Sequence, residues 1–171
     1  MDDGQHRSVS DAGLRKRHVP PPVLAAGAFG AQILLSEKRA SSTVSKSVGV
    51  VVGAGACLLM GGAVLEFQRH HTTVNPKTLD TTKLVVTGPN RLTRNPMYLG
   101  LAGLLTAHAL WRRSWSALLP VALFAAIIDR TQIPAEESVL QQRFGAEFER
   151  YRAKTPRWLG VSHRSVLKVQ R

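Results

Sequence analysis

Residues 48–65 form an unbroken run of 18 uncharged residues, and no other feature narrows the possible folds so far. A helix needs about 20 such residues to cross roughly 30 Å of hydrocarbon, so this run reads as a membrane span. It is rich in glycine and alanine, and Gly49 and Gly53 lie four apart. Small residues at that spacing let a second helix approach closely in lipid. Gly53-Ala54-Gly55 also fits the start of a dinucleotide-binding fingerprint, but the strand–turn–helix context that fingerprint requires is missing.

Three further apolar runs flank it. Pro20-Pro21-Pro22 lead into an uncharged run that ends at Leu35 and is closed by Glu37-Lys38-Arg39. Proline is tolerated at a helix start because its missing N–H has no intrahelical partner there. Residues 97–111 and 115–128 are two shorter runs split by Arg112-Arg113. They predict a tight helical hairpin with its arginine turn at one interface, where Trp111 and Trp115 suit a tryptophan belt. The alternative for these two runs is a pair of buried helices in a soluble protein. From Pro134 the pattern changes: Leu140, Phe144, Phe148 and Tyr151 recur at spacings that put them on one helical face, and Pro156 ends the pattern. The expected fold is therefore an all-α membrane protein of about four transmembrane helices plus a cytoplasmic amphipathic helix. A flexible basic tail occupies residues 1–18, a single membrane domain residues 19–159, and a basic C-terminal tail residues 160–171. No cleavable signal peptide is expected, because the first 18 residues are polar and no small-residue cleavage site follows the first apolar run.

Charge orients this arrangement. The chain carries 23 Lys and Arg against 11 Asp and Glu, a formal net of +12. Such an excess suits either a nucleic-acid binder or a membrane protein whose loops face an anionic leaflet. With four spans, Lys38, Arg39, Lys46, Arg112 and Arg113 fall on one side and every other basic residue on the opposite side. The positive-inside rule places both termini and the 68–95 loop in the cytoplasm of a multi-pass inner-membrane protein. The asymmetry accounts for most of the charge, and no helix–turn–helix reader or stacking platform is evident, so nucleic acid is not an expected partner. Cys57 is the only cysteine, which excludes an intrachain disulfide. No metal site is expected, since His70 and His71 adjoin and His108 stands alone in an apolar run.

Two segments on the predicted cytoplasmic side carry candidate chemistry. The first runs Gly88-Pro89-Asn90-Arg91-Leu92-Thr93-Arg94-Asn95-Pro96-Met97-Tyr98-Leu99-Gly100. It is a basic turn feeding a helix, whose N-terminus presents free N–H groups and partial positive charge to an anion. Arg91 and Arg94 add fork-shaped donors, and Gly100 leaves room for a ligand against the backbone. The plainer alternative is a snorkelling basic turn with an interfacial tyrosine. The second segment is Pro134-Ala135-Glu136-Glu137. Glu137 falls on the apolar face of its helix, where a carboxylate must find a partner or face desolvation. The plainer alternative is a pair of ordinary first-turn glutamates.

The two segments together resemble the isoprenylcysteine carboxyl methyltransferase and phospholipid methyltransferase superfamily. Its members show Gly-Pro-Tyr-Arg, then Arg-His-Pro or Arg-Asn-Pro with Met-Tyr-x-Gly, then Glu-Glu one hairpin later. Phe144-Gly145-Ala146-Glu147-Phe148-Glu149-Arg150-Tyr151 matches the family's ending, followed by Pro156-Arg157-Trp158, and Thr72-Thr73-Val74-Asn75-Pro76 matches its lead-in. Asn90 departs from the usual tyrosine, and Asn95 from the histidine of the eukaryotic prenylcysteine enzymes. The resemblance implies S-adenosylmethionine as cofactor and a lipophilic or lipidated acceptor. It implies a cofactor site made by Arg94, Asn95, Pro96, Tyr98, Gly100, Glu136 and Glu137, with Arg94 and Glu137 also catalytic. Glu136 or Glu137 would hold the ammonium or ribose hydroxyls, Arg94 the carboxylate, and Tyr98 would offer an aromatic face. The rival readings are a phospholipid N-methyltransferase, an NADPH-dependent membrane reductase, and a non-catalytic small membrane protein.

Overall fold

A computed structural model of the protein describes residues 19–37, 40, 42–70 and 83–160. The expected tails at 1–18 and 161–171, the residue pair Lys38-Arg39, and the Thr72–Pro76 lead-in lie outside the described residues. Those described form helices and turns with no strand: α1 (Pro21–Leu35), α2 (Thr43–Arg69), α3 (Pro96–Trp111), α4 (Leu118–Ile127), α5 (Ile133–Phe144) and α6 (Ala146–Lys154).

The 18-residue run extends at both ends into α2, 27 residues long. Ser42 caps it by accepting from the Ser45 N–H at 3.2 Å. Only Gly49, Ala56 and Ala63 of α2 are buried, while Val51 and Leu58 are 70% and 76% exposed. Small residues inward and branched aliphatics outward is the arrangement of a helix in lipid, where close backbone packing replaces hydrophobic burial. α2 packs antiparallel on α3. A Cβ at Gly49 would stand 2.9 Å from the Ala107 carbonyl oxygen, and one at Gly103 2.9 Å from the Ala56 Cβ.

Two helices are long and apolar enough to cross a membrane: Thr43–Arg69 and the continuous 27-residue stretch Leu118–Phe144. The expectation of about four full spans is therefore only partly met. α1 has 15 residues and α3 has 16, which give lengths of only about 22–24 Å. Pro21 and Ser36 bound α1, and Pro96 and the Arg112-Arg113 turn bound α3. The expected hairpin is present, with α3 returning as α4 through that turn. Arg113 there takes the left-handed conformation (φ 52°), a C-terminal cap usually given to glycine.

The amphipathic helix differs from its expected form at both ends. It does not begin afresh at Pro134. A π-helical turn, Ile128–Gln132, joins α4 directly to α5. Pro134 cannot donate to the preceding turn, and local widening is a way for a helix to pass a proline without ending. Nor does it continue to Pro156, because Gly145 (φ 48°, ψ −118°) separates α5 from α6. That conformation is closed to residues with a Cβ. The break lets α6 fold back so that Phe148 and Tyr151 are buried, while Leu140 and Phe144 are half-buried.

The core lies where α1, α3 and α4 meet: Ala25, Tyr98, Leu105, Phe124, Ile128 and Ile133, with Trp158 packed against them. Tyr98 and Trp158 thus join the apolar core to a polar cluster at one end of the hairpin. The arginine turn lies at the other end, about 24 Å away by the length of α3.

Candidate active site

The loop before α3 and the start of α5 are 43 residues apart in sequence, yet Arg94 Nη2 donates to Glu137 Oε1 at 2.8 Å. Pro89 opens a 3-10 turn, Gly88–Arg91, that brings the chain round to the end of α2. Gly88 is left-handed (φ 57°), and a Cβ there would clash with Glu66. Glu66 in turn accepts from the Thr87 hydroxyl at 2.6 Å, pinning the loop to α2.

Glu137 does find the partners that its place on an apolar face demands. Besides Arg94, it receives Arg157 in a two-pronged pair, Nε to Oε1 at 3.0 Å and Nη2 to Oε2 at 2.6 Å. Side-chain exposure is 14% for Glu137, 10% for Arg94 and 35% for Arg157. Arg157 also lies 3.5 Å from Asp129 Oδ1, which accepts from the Trp158 indole N–H at 3.0 Å. Two guanidinium groups thus face two carboxylates. Burial pushes the Arg94 guanidinium below its usual range, against the opposing pull of Glu137. Arg157 moves the other way, chiefly because its hydrogen bonds to Glu137 favour the charged form. The difference follows from enclosure, Arg94 being the deeper of the two, and both remain cations near neutrality.

The segment after α6 is stitched to the loop before α3. The Arg94 N–H donates to the Pro156 carbonyl at 2.8 Å. The Thr93 hydroxyl and the Asn95 amide both donate to the Arg157 carbonyl, at 2.6 Å and 3.0 Å. Arg94 Nη1 reaches the Arg152 carbonyl at 3.0 Å. The Tyr151 hydroxyl donates to the Asn90 carbonyl at 2.7 Å, and burial pushes its ionisation well above the usual tyrosine range.

The residues singled out in the sequence separate into three groups. Arg94 meets Glu137, and the Tyr98 hydroxyl donates to Glu136 Oε1, so the two motif segments join through two separate contacts on adjacent glutamates. Asn95 and Pro96 lie beside it in supporting positions, Asn95 holding the Arg157 carbonyl and buried Pro96 starting α3. Gly100 is placed differently. Its open side is filled by Met60 and the Ala56 carbonyl of α2, so it serves helix packing rather than leaving room for a ligand. The Tyr98 ring, likewise, is core rather than an open aromatic face. Three participants have no role in the motif reading: Arg157, Trp158 and Asp129. Pro156-Arg157-Trp158 was visible as part of the family ending, and Asp129 as an acid closing an apolar run. Nothing in either pattern says that they meet. Among the described residues no group of three or more His, Cys, Asp or Glu could hold a metal ion.

Against known proteins, the profile of a family described as phospholipid methyltransferase matches residues 45–147. A curated protein of Haemophilus influenzae (strain ATCC 51907 / DSM 11121 / KW20 / Rd), described as uncharacterized, is 43% identical over 63 residues. That stretch is 37% of this chain and the whole of the Haemophilus protein. No solved structure matches the chain.

Proposed function

The chain belongs to the phospholipid methyltransferase family, and on that premise we propose that it is an S-adenosylmethionine-dependent membrane methyltransferase whose cofactor binds at the Arg94–Glu136–Glu137 cluster. The observation that carries this reading is the meeting of the two motif segments, Arg94 on Glu137 and Tyr98 on Glu136.

The donor set fits the cofactor. A zwitterionic amino-acid end with a sulfonium needs both signs of charge within one small site, and the cluster holds both. Arg94 Nε is buried with no hydrogen-bond acceptor among the described residues, an unmet donor of the kind a carboxylate satisfies. Glu136, beside the Tyr98 hydroxyl, is the carboxylate suited to the cationic end. Glu137 is engaged by two arginines, so a cationic group reaches it only where one of them gives way. When bound, the cofactor supplies an electrophilic methyl group on sulfur. The protein's part is then chiefly to position two reactants in line, which removes much of the barrier.

The acceptor we propose is lipophilic and enters from the bilayer, since the cluster sits at the end of the α3–α4 hairpin. A carboxylate acceptor needs no general base, whereas an amine must arrive neutral or lose a proton. An isoprenylcysteine-like carboxyl and a phospholipid amine are both compatible with the cluster. We further propose that both termini are cytoplasmic, which puts the cluster on the side where the cofactor is made.

Purified protein in detergent should bind tritiated S-adenosylmethionine and not NADPH. It should also transfer label into a total lipid extract, where an alkali-labile product marks an ester and an alkali-stable one a methylated amine. NADPH binding without S-adenosylmethionine binding would replace this reading with the reductase.

A further inference from the structure

Three hydrogen bonds fill most of the roughly four acceptor positions on the Glu137 carboxylate, and two guanidinium groups shield it from a new cation. Arg94 takes one and Arg157 takes both. The two arginines are not equally fixed. Arg94 is enclosed and tied a second time to the Arg152 carbonyl. Arg157 is more exposed, and its second carboxylate contact is loose, with Nη1 3.5 Å from Asp129 Oδ1. Its backbone, by contrast, is clasped by Thr93 and Asn95 through the Arg157 carbonyl. The main chain is held and the side chain has a second carboxylate within reach.

We propose that Arg157 is a two-position gate: its guanidinium covers Glu137 in the unliganded protein and swings onto Asp129 when a sulfonium or ammonium group takes its place. The proposal rests on the reading of this cluster as a cofactor site. A guanidinium leaving Glu137 without a destination would forfeit charge-assisted bonds, and Asp129, already 3.5 Å from Nη1, offers that destination. Trp158 donates to the same oxygen and holds the Asp129 carboxylate in place. The gate keeps both arginines paired with or without ligand, which matters where an unpaired partly buried charge is costly.

The prediction is a double-mutant cycle with an unusual sign. Arg157→Gln removes the competitor, so S-adenosylmethionine should bind more tightly, by about tenfold, the worth of a charge-assisted hydrogen bond at its lower end. Asp129→Asn removes the second seat, so binding should weaken although Asp129 touches no ligand. In the Arg157→Gln background, Asp129→Asn should change nothing. A merely structural role for Arg157 predicts weaker binding in all three variants, and that result overturns the gate. So does weaker binding of Arg157→Gln alone, which would make Arg157 a ligand for the cofactor. A measurement on the unsubstituted full chain avoids any folding defect. The Arg157 Nε–H resonance is followed in detergent during titration with S-adenosylmethionine, and separately with trimethylsulfonium. Movement with both supports the gate. Movement with trimethylsulfonium in a protein that does not bind S-adenosylmethionine keeps the gate and overturns the methyl-donor reading. A resonance unmoved in both titrations overturns the gate.

Discussion

Gln32 Oε1 lies 3.0 Å from His108 Nδ1, while Gln32 Nε2 donates to the carbonyls of Leu105 and Ala117 at 2.9 Å each. Two carbonyl acceptors fix which end of the amide is which. The Oε1 end must accept, so His108 must donate through Nδ1, and the tautomer is set. The side chain of Gln32 is fully buried, and it ties α1 to α3 and to the turn before α4. Phe29 covers the imidazole with ring centroids 4.7 Å apart. A polar pair in an apolar bundle is expensive unless satisfied, and this one is satisfied on every side that faces protein.

Gln32→Leu should therefore loosen α1 from the bundle. Interhelical hydrogen bonds in membranes are worth about 0.6 kcal/mol each and rarely more than about 1.7, so losing three costs on the order of 2 kcal/mol. Thermal unfolding in detergent measures the loss. Nitrogen NMR should show His108 as the Nδ1–H tautomer in the parent protein and a mixture in the variant. An unchanged tautomer would show that Gln32 does not set it.

The α2–α3 contact makes a sharper comparison. At Gly49 an added Cβ meets backbone, the Ala107 carbonyl and the Trp111 N–H, at 2.9 Å and 3.1 Å. At Gly55 it meets nothing within 4 Å. Gly49→Ala should destabilise by about 1–3 kcal/mol, because helix backbone cannot yield as a side chain does. Gly55→Ala should be neutral or stabilising by up to about 1 kcal/mol from helix propensity alone. Equal unfolding temperatures for the two variants would mean that the helices are not in contact at Gly49.

The two adjacent glutamates should respond differently to loss of charge. Glu137→Gln leaves Arg94 and Arg157 facing an amide, and breaking a buried pair on one side costs about 3–5 kcal/mol when fully enclosed. Arg157 is about one-third exposed, so solvent screens part of this, and a loss of about 1–3 kcal/mol is expected. Glu136→Gln keeps an acceptor for the Tyr98 hydroxyl and should cost less stability, while each substitution removes a carboxylate assigned to the cofactor's cationic groups and should weaken S-adenosylmethionine binding. Denaturation and isothermal titration on both variants separate the two effects. A larger stability loss for Glu136→Gln would exchange the structural roles of the pair, and unchanged binding in both variants would remove them from the cofactor site.

Topology is checked without a purified protein. A C-terminal alkaline phosphatase fusion in a bacterial inner membrane should be inactive, and the matching fluorescent protein fusion should glow. An active phosphatase would put the cluster on the face away from its cofactor.

What the sequence determined by itself was everything that depends on local pattern. Residues 48–65 read as a membrane helix, because 18 consecutive uncharged residues come close to the length that crosses the hydrocarbon. The turn at Arg112-Arg113 had to close a hairpin, and the two motif segments named a family. Tertiary structure decided the rest. Whether α5 continued from α4 depended on a π-helical turn that no periodicity reveals, and whether α6 folded back depended on one conformation at Gly145. Gly100 reads in sequence as room for a ligand, but Met60 fills it, since a glycine's empty side takes whatever the fold brings there. Arg157 and Asp129 carried no motif of their own. Their role exists only because Thr93 and Asn95 clasp the Arg157 backbone and bring its side chain onto Glu137. A charge shows its sign in the sequence, but its partner is set by distance, and distance between positions 94, 129, 137 and 157 belongs to the fold alone.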